Sequence, residues 1–258
     1  MNILLTNDDG LSSRGIQVLA EALQSIAKIW VIAPDSERSG TGHGITVFRP
    51  IMLRESKLVS TAQKAWIVDG TPVDCVKLAL TRLMPEPPDL VISGINRGAN
   101  LGTDVLYSGT VSAAVEGVIL GVPAVAVSLN SHHDDADFGI AARFTRSVIK
   151  RLQLDGIEKD TILNINVPDA RWEEIKGLRI TRLGRRRYEN EFAERRDPRG
   201  NLYYWLGGDV IEEDQEPDSD VAAIQENFIS ITPIHFDLTD YHLIQQYQEK
   251  YREYIDHR

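Results

Sequence analysis

The chain has 258 residues, 42% of them hydrophobic and 26% charged, which is typical of a folded protein with room for one large α/β domain. Its net charge of -10 argues against a polynucleotide partner, because proteins that grip nucleic-acid phosphates usually carry a basic face. The single cysteine, Cys75, excludes an internal disulfide and a thiolate metal cluster.

The N-terminal apolar run is short, and it ends at Asn7 without a basic leader before it. No later apolar run is long enough to span a bilayer. We therefore expect no signal peptide, no membrane partner and a cytoplasmic location.

Short apolar strands alternate with amphipathic helices through the first half of the chain. A helix is predicted to begin at Pro72, with Thr71 as its N-cap. This alternation predicts an α/β, Rossmann-like fold, in which helices cover both faces of a mostly parallel sheet. Strands are predicted at residues 3–6, 29–33, 90–93 and 124–128, and further helices at residues 16–27, 109–120 and 138–152.

The pattern changes after about residue 155. Strands are predicted at residues 163–167, 178–183 and 228–234, and a polar segment at residues 184–217 separates the last two. We therefore assign residues 1–183 to a catalytic α/β domain whose sheet is completed by residues 228–235. Residues 184–258 are assigned to an extended arm, a return strand and a C-terminal helix.

The polar segment contains an arginine cluster, Arg185–Arg187, and the extended stretch Tyr203–Leu206. The cluster fits an anion such as polyphosphate, although such a run is more often a solvated face or a subunit contact. The final helix carries an apolar and aromatic stripe that needs a partner surface, either on its own domain or on another chain: Leu243, Ile244, Tyr247, Tyr251 and Tyr254.

Polar loops follow three of the predicted strands, at residues 7–10, 34–44 and 93–100. In parallel sheets ligands bind beyond the carboxyl ends of the strands, so these loops are expected at one site. Asp8 and Asp9 also fit an ordinary turn before Gly10. However, adjacent carboxylates repel unless a cation joins them, and oxygen-only ligands favour Mg²⁺, Mn²⁺ or Ca²⁺ over zinc. The two further polar loops favour a metal site.

Ser108, Gly109 and Thr110 stand where the helix at residues 109–120 should begin. Free backbone N–H groups and two hydroxyls at a helix N-terminus suit a bound phosphate. An ordinary N-cap by Ser108 or Thr110 explains the same residues. Their predicted position at the same sheet edge favours the phosphate.

Two loops that contain histidine are weaker candidates for a functional site. The run His132-His133-Asp134-Asp135 has metal-binding side chains, but it is expected to be solvated surface. His43 is either a hydrogen-bond donor to a substrate or a loop histidine satisfied by its neighbours. Neither a P-loop nor a complete Gly-x-Gly-x-x-Gly dinucleotide fingerprint is present.

A series of sequence blocks runs in order across nearly the whole chain: residues 3–10, 33–34 with 38–40, 70–76, 93–96 with 98–102, 107–111, 218–220 and 230–233. Taken together, these blocks resemble the SurE (survival protein E) family. The resemblance implies one divalent metal ion per subunit, Mg²⁺ or Mn²⁺ with Ca²⁺ as a substitute, on Asp8, Asp9, Ser39 and Asn96. It places Asn7, Gly40, Asn96 and the turn of Ser108, Gly109 and Thr110 near the bound phosphate.

The activity implied by the resemblance is hydrolysis of nucleoside 5′- and 3′-monophosphates, with short polyphosphate as a further substrate. Asp8 and Asp9 are the expected catalytic residues, and either is suited to accept a proton from water. The resemblance also implies a homodimer or homotetramer, in which the arm and C-terminal helix contact a neighbouring subunit.

Two other classes of protein remain as alternatives. A phosphatase of haloacid-dehalogenase type uses an aspartyl nucleophile in an Asp-x-Asp motif after its first strand, whereas the order here is Asn7-Asp8-Asp9. A non-enzymatic phospho-receiver or ligand-binding module also has an acidic pair there, but it needs a phosphoacceptor aspartate after its third strand. Ser93 and Gly94 occupy that position.

Overall fold

The structure, a computed structural model, describes residues 1–156, 160–189, 192–208 and 210–255. The end of the predicted C-terminal segment, residues 256–258, lies outside the described residues. The strands are β1 (Asn2–Thr6), β2 (Lys28–Pro34), β3 (Leu53–Ser56), β4 (Lys64–Val68), β5 (Leu90–Arg97), β6 (Ala124–Asn130), β7 (Ile162–Pro168), β8 (Gly177–Ile180), β9 (Arg186–Tyr188), β10 (Phe192–Arg196), β11 (Leu202–Leu206), β12 (Val210–Glu213) and β13 (Phe228–Ile234). The α-helices are α1 (Arg14–Leu23), α2 (Pro72–Leu78), α3 (Gly109–Ile119), α4 (Gly139–Asp155), α5 (Asp220–Gln225), α6 (Tyr241–Lys250) and α7 (Arg252–Ile255).

A nine-stranded sheet organises the molecule, in the order β3-β4-β2-β1-β5-β6-β7-β13-β8. The six strands from β4 to β7 in this order are all parallel to their neighbours. The strand β13 runs antiparallel to β7 and parallel to β8, while β3 is antiparallel to β4. The predicted mostly parallel, Rossmann-like sheet is confirmed.

Helices cover both faces of the sheet, and alternating residues of each strand build two cores. In β1, Ile3 and Leu5 pack on the side of α1 and α4, where Leu19 and Ala142 also lie. Leu4 points to the opposite side and packs with residues of α2 and α3. Because both faces of these strands are buried, their sequences are continuous apolar runs rather than alternating ones.

The predicted start of α2 is correct in detail. The hydroxyl of Thr71 accepts a hydrogen bond from the backbone N–H of Asp74, and the Asp74 carboxylate accepts one from the backbone N–H of Thr71. This reciprocal capping box, together with Pro72 as the first helical residue, fixes where the helix begins.

Several elements were not predicted, and one predicted strand is too long. The edge strand β3, its neighbour β4 and the short helix α5 were not predicted, nor were β9, β10 and β12 in the polar segment. The strand predicted at residues 178–183 ends at Ile180, because β13, its neighbour in the sheet, pairs with it only as far as that residue. Arg182 instead forms an isolated bridge with Ser219.

Two small ribbons form in the polar segment after β8. The strands β9 and β12 pair antiparallel, as do β10 and β11. All five residues of β11 are exposed, as are Leu238 and Tyr247 near and in the C-terminal helix. No residue of α6 whose burial is described is buried. Among the described residues, no helix has both the length and the apolar character needed to cross a membrane.

Candidate active site

The three polar loops meet at one cavity because β2, β1 and β5 are adjacent in the sheet. The cavity has a volume of about 420 Å³. Its lining residues come from all three loops, from the segment that leads into α3 and from the loop after β6: Asp8, Asp9, Glu37, Ser39, Gly40, Asn96, Arg97, Gly98, Ala99, Asn100, Asp104, Tyr107, Ser108, His132 and Asp134.

The Asp8 side chain is held by the first turn of α3. It is only 3% exposed, and its carboxylate accepts hydrogen bonds from the backbone N–H of Thr110 at 3.2 Å and from the Thr110 hydroxyl. Burial raises the pKa of Asp8, and the hydrogen bonds from Thr110 oppose this effect. The helix N-terminus therefore fixes the position of this carboxylate.

A glycine at position 109 is required by this contact. A Cβ atom on Gly109 would lie 2.9 Å from both Cβ and Oδ2 of Asp8 and 3.2 Å from the Pro72 ring. These separations are shorter than normal van der Waals contacts, so a larger residue would push the helix away from the carboxylate.

Asp9 has a more open environment than Asp8. Its Oδ2 atom accepts a hydrogen bond of 3.2 Å from the backbone N–H of Arg97, at the end of β5. Burial, followed by the negative charge of Asp8, raises the pKa of Asp9 to about 7. Two neighbouring carboxylates of raised pKa are a site where a cation would stabilise the ionised forms.

The other predicted ligands also line the cavity. The amide nitrogen of Asn96 donates to the Gly98 carbonyl at 2.7 Å, which leaves the amide oxygen available as a ligand. The Ser39 hydroxyl donates to the Glu37 carboxylate at 2.8 Å, and both residues are exposed on the loop after β2. Gly40 follows on the same loop with a φ of 73°.

Three of the residues predicted near a phosphate, Asn7, Gly109 and Thr110, are not among those that line the cavity. Asn7 is fully buried, and its amide nitrogen donates to the Gly10 carbonyl at 3.0 Å and to the Ser13 hydroxyl at 2.7 Å. Thr110 binds Asp8, and Gly109 is the residue before it in α3. Of the predicted helix-start residues, Ser108 lines the cavity itself. Its hydroxyl accepts a hydrogen bond of 3.0 Å from the backbone N–H of Val111.

The cavity contains side chains that the sequence analysis did not select. Glu37 and Asp104 add carboxylates, and Arg97 adds a guanidinium that is paired with the Asp134 carboxylate. His132 and Asp134 were expected to be solvated surface. Both are exposed, as expected, but they also form part of the rim. Their loop directly follows β6, the sheet neighbour of β5, and this position is the signal by which the sequence could have assigned them to the site.

His43 is satisfied by its neighbours and does not line the cavity. Its ring nitrogen Nε2 lies 3.0 Å from the Glu116 carboxylate, which also accepts a hydrogen bond of 2.8 Å from Lys77. Of the two readings of His43, the structure therefore supports the satisfied loop histidine.

The residues of the cavity fit a hard divalent ion by their chemistry. All four predicted ligands offer oxygen: two carboxylates, one hydroxyl and one amide. Within the described parts of the chain, no group of three or more His, Cys, Asp or Glu side chains is placed to hold a metal. An ion here would thus rely on the acidic pair together with neutral oxygen donors, rather than on nitrogen or sulfur.

Comparison with known proteins identifies the family of the chain. The profile of the family described as "Survival protein SurE" matches residues 3–190, which include every predicted site residue. The chain belongs to this family. The SurE chain called "5'-nucleotidase SurE" in Syntrophomonas wolfei is 63% identical over 254 residues, covering 98% of this chain and 96% of the relative. A protein of the same name in Heliobacterium modesticaldum is 54% identical over 246 residues, covering 95% and 90%.

A solved structure of a SurE protein has the same fold. The crystal structure of the SurE protein from Aquifex aeolicus matches with a TM-score of 0.81 and 41% identity, covering 97% of this chain and 99% of that one. Membership of the SurE family removes the support for the two alternatives. Neither the haloacid-dehalogenase type nor the receiver module explains a match that spans all three loops of the cavity.

Proposed function

We propose that the chain is a metal-dependent phosphomonoesterase, a 5′-nucleotidase that hydrolyses nucleoside 5′-monophosphates to nucleoside and phosphate. Nucleoside 3′-monophosphates and short polyphosphate are proposed as further substrates. The observation that carries this proposal is the Asp8–Asp9 pair in a cavity that Asn96 and Ser39 also line, with Asp8 held by the N-terminus of α3. The names of the SurE relatives support the same reaction class.

Asp8, Asp9, Ser39 and Asn96 are the residues proposed to hold one divalent ion, Mg²⁺ or Mn²⁺, for which Ca²⁺ can substitute. When bound, such an ion neutralises negative charge on a phosphoryl group and acidifies water. The protein itself fixes the orientation of the carboxylate ligands. Thr110 holds Asp8 from one side, and the Arg97 N–H holds Asp9 from another.

Asp9 is the better candidate to accept the proton of the attacking water. Both oxygens of Asp8 accept hydrogen bonds from Thr110, one from the N–H and one from the hydroxyl. On Asp9, the bond from Arg97 occupies Oδ2. Its Oδ1 is therefore the oxygen assigned to proton transfer, and Asp9 lines the cavity that the water would enter.

The phosphate is assigned to the positive end of α3 and to the loop after β2. The Thr110 N–H is committed to Asp8 and the Val111 N–H to the Ser108 hydroxyl, so the remaining amide of the first turn is that of Gly109. Ser108 and Gly40 line the cavity and complete the proposed cradle. Asn7 is assigned a supporting role, because its amide nitrogen holds the loop at Gly10.

Assembly into a homodimer or homotetramer is also proposed. The helix α6 exposes Tyr241 and Tyr247, and β11 exposes Trp205. Large aromatic side chains on an arm and a terminal helix suit contact with a neighbouring subunit. The chemistry is assigned to residues 1–183 and 228–235. The subunit contacts are assigned to residues 184–227 and 236–258. The cytoplasmic location stays a prediction.

The experiment that tests the reaction is a phosphate-release screen. Purified protein is incubated with nucleoside 5′-monophosphates, nucleoside 3′-monophosphates and short polyphosphate, with Mg²⁺, Mn²⁺ or Ca²⁺ in separate reactions. We expect the highest turnover with a nucleoside 5′-monophosphate. Failure to release phosphate from any nucleotide with any of the metals would refute the proposed function.

A further inference from the structure

One member of the arginine cluster, Arg186, is paired with an acidic residue in the wall of the active-site cavity. Arg186, on β9, is only 18% exposed, and its NH1 atom lies 2.7 Å from Oδ2 of Asp104, which is 20% exposed and lines the cavity. The two residues are 82 positions apart in the sequence. Their contact therefore joins the arm to the cavity wall through charge as well as packing.

Further contacts fix this pair in place. The Tyr188 hydroxyl donates a hydrogen bond of 2.7 Å to the same oxygen of Asp104. The Thr103 hydroxyl donates to the backbone carbonyl of Arg186 at 2.8 Å, which ties β9 to the turn that carries Asp104. Arg186 also pairs with Glu213 of β12 at 3.0 Å. One guanidinium thus neutralises two carboxylates, of which Asp104 alone lines the cavity.

The charge balance of the cavity makes this neutralisation important. Among the described lining residues the basic side chains are Arg97 and His132, and Arg97 is already paired with Asp134. Five carboxylates line the same cavity: Asp8, Asp9, Glu37, Asp104 and Asp134. A nucleoside monophosphate enters as an anion, so an uncompensated carboxylate in the wall would repel it.

We propose that Arg186 is a positioning residue for substrate binding, which neutralises Asp104 and so keeps that side of the cavity open to an anionic phosphate ester. This inference rests on the proposed function, since it concerns binding of the same substrate. Arg186 acts through Asp104 and touches neither the substrate nor the predicted metal ligands.

The first test is Arg186→Gln, measured as KM and kcat for a nucleoside 5′-monophosphate. KM should rise roughly tenfold, the effect of one uncompensated charge near a bound anion, while kcat stays within about twofold. Arg186→Lys should keep most of the affinity because it keeps the charge, although it loses the two-pronged geometry. Arg195→Gln removes the same charge from the exposed ribbon strand β10 and should leave KM unchanged.

Two double variants separate charge from packing. Combining Arg186→Gln with Asp104→Asn removes the unpaired charge in the wall and should return KM to near the wild-type value. Combining Arg186→Gln with Glu213→Gln leaves the unpaired charge of Asp104 in place, so KM should stay as high as in Arg186→Gln alone. The KM defect of Arg186→Gln should also shrink as ionic strength rises, because salt screens repulsion but does not repair packing.

Equal rescue by both double variants, or an unchanged KM in Arg186→Gln, would overturn the role of Arg186. Thermal unfolding of each variant verifies that it is folded. Calorimetric binding of the nucleoside monophosphate to the same variants repeats the comparison without turnover. If wild-type protein binds the nucleotide but releases no phosphate, the proposed function fails, and the ratio of dissociation constants still tests Arg186. A ratio near one would refute the inference.

Discussion

The carboxylate of Asp8 accepts hydrogen bonds from both the backbone N–H and the hydroxyl of Thr110, a residue 102 positions later in the chain. This contact places an acidic side chain at the positive end of α3, where the helix dipole stabilises its ionised form. It also couples the first strand of the sheet to the helix that is proposed to bind the phosphate.

Replacing the acidic pair one residue at a time should abolish turnover without unfolding the protein. Asp8→Asn and Asp9→Asn are each expected to lower kcat by roughly two to four orders of magnitude, the scale on which charge-stabilising and acid–base groups act. Removing one charge also relieves the repulsion between the pair, so the metal-free variants should be as stable as wild type or more so. Asp169→Asn, an exposed aspartate after β7, is the matched control. Near wild-type turnover of Asp8→Asn at saturating metal would refute the role of Asp8.

The contact between Asp8 and α3 can be tested from the side of the helix. Thr110→Val removes a hydrogen bond to a charged group, worth about 1.5–3 kcal/mol, and should lower kcat about tenfold or more. Thr110→Ser keeps the hydroxyl and should retain most of the activity. If Thr110→Val turned over like wild type, the hydroxyl would not be holding Asp8 for the reaction.

Gly109→Ala should displace the helix from Asp8 and lower activity strongly, since its Cβ atom would lie 2.9 Å from that side chain. Gly121→Ala, in the turn after α3, is a useful control. It has a φ of 82° but no atom within 4 Å of the added methyl group, so it should reduce stability by about 1 kcal/mol and leave kcat unchanged. Equal loss of activity in both variants would mean that the effect is on folding rather than on the site.

The raised pKa of Asp9 predicts how the metal-free protein responds to pH. Its carboxyl has a pKa of about 7 in the folded protein against 3.8 ordinarily, so the folded state binds the proton more tightly than the unfolded state does. This contribution to stability is complete below about pH 4 and is lost as the pH rises through 7. Asp9→Asn should therefore gain thermal stability relative to wild type between pH 4 and pH 8, measured in chelated buffer. A difference in Tm that is constant across this range would contradict the raised pKa.

The C-terminal helix is expected to pack on another subunit. None of the α6 residues whose burial is described is buried, and Tyr247 and Tyr251 stack with their ring centroids 5.9 Å apart on its exposed side. Deleting residues from Leu238 onward should convert a dimer or tetramer into monomers or aggregates in sedimentation experiments. A full-length chain that sediments as a monomer at micromolar concentration would show that the helix packs on its own domain.

The sequence was sufficient to locate the cavity because its residues follow strands that are neighbours in the sheet. Asp8 and Asn96 each lie at or just beyond a buried apolar strand, and the rule for parallel sheets brings such residues together. Asp104 and Arg186 escaped this reasoning, since neither follows a core strand and their pairing depends on how the arm folds back. The edge strand β3 was missed because its residues Leu53–Ser56 are mostly exposed and show no apolar run.

The metal dependence of phosphate release tests the proposed reaction most directly. Wild-type protein, freed of metal by EDTA and dialysed, is assayed with a nucleoside 5′-monophosphate before and after addition of Mg²⁺ or Mn²⁺, beside Asp8→Asn as a control. We expect no activity in the chelated protein, recovery of activity with at least one of these ions and no recovery in the variant. Full activity in the rigorously chelated wild-type protein would contradict a metal site at Asp8, Asp9, Ser39 and Asn96.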